Sequence, residues 1–77
     1  MKYSDGRYVK LGDKVVLGKD NEGVVVGVID TGDYADAFPQ AQWGYLKSGV
    51  LIEFRSYGLV HYREPETDLQ LIARAPW

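Results

Sequence analysis

Lys14-Val15-Val16-Leu17-Gly18-Lys19-Asp20-Asn21-Glu22-Gly23-Val24-Val25-Val26-Gly27-Val28-Ile29 decides the fold class. Two β-branched, apolar runs flank a polar segment of turn-forming residues, which is the pattern of a β-hairpin. Asp20-Asn21-Glu22-Gly23 supplies the turn chemistry, and a three-residue loop Asn21-Glu22-Gly23 with a glycine bulge is expected. The return strand then runs from Gly23 to Ile29. Gly18 and Gly27, inside the strands, mark bends or close backbone approach.

A second hairpin is expected downstream. Val50, Ile52 and Phe54 alternate with Leu51, Glu53 and Arg55, and Leu59-Val60-His61-Tyr62-Arg63 returns. A loop Ser56-Tyr57-Gly58 places Phe54 opposite Val60 and Ile52 opposite Tyr62, which makes one face wholly apolar. It also places Glu53 opposite His61 on the polar face. Leu69-Gln70-Leu71-Ile72-Ala73-Arg74 reads as a last strand and Arg7-Tyr8-Val9-Lys10 as a short first one. Residues 30–48 form a long connection, in which Pro39 can open a helical or 3-10 turn across 39–47. The expected fold is all-β, a small SH3-like barrel of five to six short strands, with residues 1–77 as a single domain.

Lys10-Leu11-Gly12-Asp13-Lys14-Val15, followed by Glu22-Gly23-Val24-Val25, resembles the start of KOW-type modules of transcription and ribosomal proteins. That resemblance implies an SH3-like barrel and a nucleic-acid or ribosome-associated role. A second resemblance covers most of the chain: Ile29-Asp30-Thr31, Tyr34, Phe38-Pro39, Trp43, Tyr45-Leu46, Gly49-Val50 and Gly58-Leu59-Val60-His61-Tyr62. These residues look like those of short bacterial proteins, some of which accompany polymorphic toxins as immunity proteins. It implies a protein-binding inhibitor that occludes a toxin domain.

Composition narrows the chemistry. The 77 residues include no cysteine and one histidine, so disulfides, thiolate metal sites and thiol nucleophiles are excluded. No cofactor-binding or metal-binding motif is present, and the expectation is no metal and no cofactor. The start of the chain has no apolar leader-like run, and the longest apolar stretch, Val24 to Ile29, is too short to cross a bilayer. The expected location is the cytoplasm, with no membrane partner.

Net charge is −2, unevenly spread. Lys2, Arg7, Lys10, Lys14 and Lys19 crowd the first nineteen residues, whereas residues 20–46 carry Asp20, Glu22, Asp30, Asp33 and Asp36 and no Lys or Arg. An acidic middle repels a phosphate backbone and suits a basic protein surface. Tyr and Trp are common interface anchors, so Asp30, Asp33, Tyr34, Asp36, Trp43, Tyr45 and Tyr57 form the candidate partner-binding set. The alternative for Phe38 and Trp43 is that they fold back onto the barrel. Glu53 and His61 are the one catalytic candidate, a carboxylate that can orient an imidazole; the competing reading is a surface cross-strand pair. No nucleophile or oxyanion hole accompanies them, and the expectation is a non-catalytic protein. Trp77 offers a route to a homodimer.

Overall fold

The computed structural model describes residues 2–19, 21–36, 38, 44–63 and 69–74. Six strands, β1 (Lys14–Leu17), β2 (Asn21–Val28), β3 (Asp33–Tyr34), β4 (Val50–Phe54), β5 (Gly58–Tyr62) and β6 (Leu69–Ala73), form one antiparallel sheet. The order is β5-β4-β2-β1-β6, with β3 added to the end of β2. β2, β4 and β5 form a meander with β1 and β6 on its flank, and the all-β class expected from the sequence is what the structure shows. Two 3-10 turns, Ile29–Thr31 and Gly44–Leu46, lie in the connection between β2 and β4. The second falls within the segment where a helical turn was expected. Arg7 to Lys10 is not a strand; that region contributes only an isolated bridge between Lys2 and Tyr8.

The first hairpin turns earlier than its glycines suggest. Leu17 pairs with Asn21 and Val15 with Gly23, so the strand starts at Asn21. Gly18 takes the left-handed conformation, φ 69°. Gly23 has a different task. On its other side it pairs with Phe54, and a Cβ there would lie 2.7 Å from the Phe54 ring and 2.9 Å from the Ile52 methyl. The glycine makes room for an aromatic ring in the core, where a turn was expected.

A bulge then shapes β2. Val25 pairs with Ile52 and Gly27 with Leu51, which leaves Val26 as an extra residue. The insertion resets the alternation, so Val25 and Val28 both point inward while Val26 points out. The result is two apolar clusters on opposite faces of one sheet. The inner one contains Val15, Val25, Val28, Val50, Ile52, Phe54 and Leu69, together with Tyr3 and Val9 from the N-terminal segment. The outer one is Val26, Ile29 and Leu51, covered by Tyr34, Ala35, Phe38, Leu46 and Leu59.

The second hairpin has the expected faces and a different register. Ile52 pairs with Val60, Val50 with Tyr62 and Glu53 with Leu59. This is a slip of two residues from the expected pairing. Such a slip preserves which side chains face the core, so hydrophobic pattern cannot detect it. The expected Glu53–His61 cross-strand pair is therefore incorrect; His61 lies opposite Leu51.

One carboxylate is fully buried. Asp13 is 0 % exposed and its Oδ2 accepts the Tyr3 hydroxyl at 2.7 Å and the Lys10 N–H at 2.9 Å. Arg74 Nε stands 3.8 Å from Oδ1, and Arg74 Nη2 donates to the Tyr8 carbonyl at 2.9 Å. Because a buried charge needs partners, Asp13 binds the N-terminal segment, the start of β1 and the end of β6 to one another. Burial, with the hydrogen bond to Asp13, pushes the Tyr3 phenol well above the ordinary tyrosine range. No described helix is long and apolar enough to cross a membrane.

Candidate functional site

The connection from β2 to β4 is fastened at both ends before it turns outward. Ile29 N–H donates to the Gly49 carbonyl at 2.9 Å, and Gly49 N–H donates to Asp30 Oδ1 at 3.1 Å. The hydrogen bond from Gly49 holds the Asp30 carboxyl below its usual value. Gly32, left-handed at φ 75°, ends the first 3-10 turn. The chain can then return as β3, which pairs Tyr34 with Gly27 and Asp33 with Val28. Ala35 N–H continues the ladder to the Val26 carbonyl at 2.9 Å.

These bonds assign different tasks to the candidate residues. Asp30 is exposed yet serves as an internal tether. Asp33 is exposed and accepts the Thr31 hydroxyl at 2.7 Å. Tyr34 is half-buried, its ring set against the outer cluster. Phe38 is half-buried on the same cluster, so it folds back onto the sheet. Asp36 is exposed, and no described residue bonds to its carboxylate. Tyr45 is 70 % exposed, while its neighbour Leu46 packs inward. Trp43 lies outside the described residues, as does Trp77.

Tyr57 does not join this group. It sits at the far end of the sheet, where Asn21 Nδ2 donates to its hydroxyl at 3.0 Å and its ring meets Phe54 edge-on at 5.9 Å. Asn21 and Val28 are the two ends of β2, roughly 23 Å apart at strand rise. The expected single surface is thus divided. Asp30, Asp33, Tyr34 and Asp36 share one end of the sheet, and Tyr57 occupies the other.

Between β1 and β3 lies a feature that the sequence reading missed. Both strands pair with the same side of β2, β1 with Asn21 to Val24 and β3 with Gly27 and Val28. The junction leaves a groove of about 370 Å³ lined by Leu11, Val24, Val26, Tyr34, Ala35 and Asp36. Its walls depend on β3 and on the outward turn of Val26. A two-residue strand and a bulge leave little trace in hydrophobic periodicity, so of the lining only Tyr34 and Asp36 were visible beforehand.

The remaining chemistry is sparse. His61 Nε2 is 2.8 Å from the Ser48 carbonyl, with Glu53 exposed beside Leu59 on the neighbouring strand. No group of three or more His, Cys, Asp or Glu among the described residues could hold a metal ion. Lys14 and Arg55 share a groove with Glu22 and Glu53, so two of its cations are accompanied by two acids. Compared with protein families, characterised proteins and solved structures, the chain matches none.

Proposed function

We propose that the protein is a non-catalytic protein-binding module acting in the cytoplasm, and that its recognition surface is the acidic end of the sheet around Asp33, Tyr34 and Asp36. Its most concrete form is an immunity-type inhibitor that covers a basic site on a toxin domain. The observation that carries the reading is the outer cluster. Tyr34, Ala35 and Phe38 pack against Val26, Ile29 and Leu51, and the acids between and beside them stay in solvent. A segment built on its own small core is preorganised, which lowers the ordering cost of binding. Exposed carboxylates there steer a basic partner and select against acidic ones. The presence of Glu22 and Glu53 in the same groove as Lys14 and Arg55 disfavours the KOW-like alternative, because phosphate contacts need a concentrated positive field.

The test begins with recovery of a stoichiometric protein from native lysate that survives nuclease and moderate salt. The affinity of that protein is then measured for wild type, Asp33→Lys/Asp36→Lys and Tyr57→Ala. The charge reversal should weaken binding at least about tenfold, chiefly at low salt, and Tyr57→Ala should leave it unchanged. Equal affinities for wild type and the double variant would refute the surface. Retention only on nuclease-sensitive material would favour the nucleic-acid alternative.

A further inference from the structure

We infer that the groove between β1 and β3 is a socket for a single arginine side chain presented by the partner. This deepens the proposed recognition surface and rests on that reading. The groove has apolar walls from Leu11, Val24 and Val26, an aromatic side from Tyr34, and one carboxylate, Asp36, at its rim. At about 370 Å³ it is near the lower end of ligand-sized pockets, a size that suits one long side chain better than a whole molecule.

Arginine fits each part. Its methylene stem favours apolar walls, and its weakly hydrated planar guanidinium stacks on aromatic faces and pairs with carboxylates. The acids of the segment differ in availability. Asp30 accepts Gly49 N–H and Asp33 accepts the Thr31 hydroxyl. Asp36 lines this groove and is bonded by no described residue, so a cation entering the groove meets a carboxylate that need not first abandon a described partner. Asp33 lines a different groove, with Tyr8, Lys10, Leu11 and Thr31, where a lysine already supplies positive charge. Charge complementarity therefore points to the Asp36 side.

The probe is the blocked tripeptide acetyl-Gly-Arg-Gly-amide, titrated into the full chain and followed by backbone amide shifts. Its citrulline counterpart is the neutral isostere. The arginine peptide should give saturable shifts at Leu11 and at Tyr34 to Asp36, with low-millimolar affinity. The citrulline peptide should bind about fivefold more weakly, and Asp36→Asn should cause a similar loss. Asp33→Asn should stay within about twofold of wild type, as expected of a screened charge outside the groove. Shifts confined to other residues, or equal affinity of wild type and Asp36→Asn, would overturn the socket. If a protein partner binds through residues 30–36 while Asp36→Asn is neutral in both assays, this inference fails and the proposed function stands. If the peptide binds as expected and the partner uses another face, the proposed function fails instead.

Discussion

Tyr3→Phe removes one oxygen and leaves the ring, so its cost isolates the hydrogen bond to Asp13. The hydroxyl donates at 2.7 Å to a carboxylate that is 0 % exposed, and Tyr3 itself is 4 % exposed. After the change, Oδ2 keeps only the Lys10 N–H, and the nearest cation remains Arg74 Nε, 3.8 Å from Oδ1. A bond to a charged acceptor contributes about 1.5–3 kcal/mol, and the buried carboxylate cannot recover it from water. A 77-residue chain is expected to have about 4–12 kcal/mol in all. In urea, with a slope of about 1 kcal/mol/M, the midpoint should fall by about 1.5–3 M with the slope unchanged. The effect should also depend on pH. The Tyr3 phenol is raised in the folded protein above its ordinary 10.0. Below that value both states keep the proton and the contribution is complete. Above it the unfolded chain loses the proton first, so wild type loses about 1.4 kcal/mol per pH unit through this group and Tyr3→Phe does not. The gap between the two proteins should therefore narrow by about 1.4 kcal/mol between pH 9 and pH 11. A loss below about 0.5 kcal/mol, or a gap that widens with pH, would refute this account of the buried carboxylate.

Two further predictions concern the base of the connection. Gly49→Ala places a Cβ where φ is 95° and hard against the Tyr62 carbonyl oxygen, a backbone atom that no rotamer change can move. Left-handed strain alone costs about 1–2 kcal/mol, and with displacement of β5 the total should reach about 3 kcal/mol, lowering the thermal midpoint by roughly 12 °C or more; a loss under about 1 kcal/mol would show that the strands separate there at little cost. Asp30→Asn keeps an acceptor for Gly49 N–H but loses its charge, which at this exposed site should cost a few tenths of a kcal/mol to about 1 at neutral pH. Because the Asp30 carboxyl is lowered from 3.8, its contribution is present above that value and fades as pH falls through the folded value, so wild type and variant should converge in acid. Equal differences at neutral and acid pH would rule out a charge effect.

The sequence made some levels of this structure legible and hid others, for identifiable physical reasons. The inward face of β4 could be read because Val50, Ile52 and Phe54 alternate with period two, and all three are buried. The register of β4 with β5 could not, because pairing Ile52 with Val60 or with Tyr62 buries the same set. Only turn geometry separates those choices, and Gly58, left-handed at φ 77°, pairs with Phe54 at the first rung instead of lying in the loop. Gly23 misled for a related reason. Glycine signals either a turn or a close approach, and here the ring of Phe54, thirty-one positions downstream, decides between them. Asp13 gave no signal of burial, since an aspartate after Leu11-Gly12 reads as an exposed turn until Tyr3 and Arg74 are brought to it. The acids of the candidate surface were visible as a charge run, but the groove beside Asp36 depends on a bulge and a two-residue strand.

Placing the proposed recognition segment on a second core has a consequence for how such a protein can change. Asp33 and Asp36 are exposed and belong to neither cluster, and among the described residues the inner cluster draws nothing from 30–46. Substitutions at the exposed acids therefore alter charge and steering without opening a cavity in the core that holds β1, β2, β4 and β6 together. Tyr34 and Phe38 are different, because each covers Val26, Ile29 and Leu51 while standing next to the acids. Truncating either should loosen the platform as well as the contact it carries, so stability and affinity should fall together at those positions and separate at Asp33 and Asp36. Coupled losses at Tyr34 and Phe38, with uncoupled losses at the two acids, are what a recognition segment with its own core must show, and a flexible acidic loop would not.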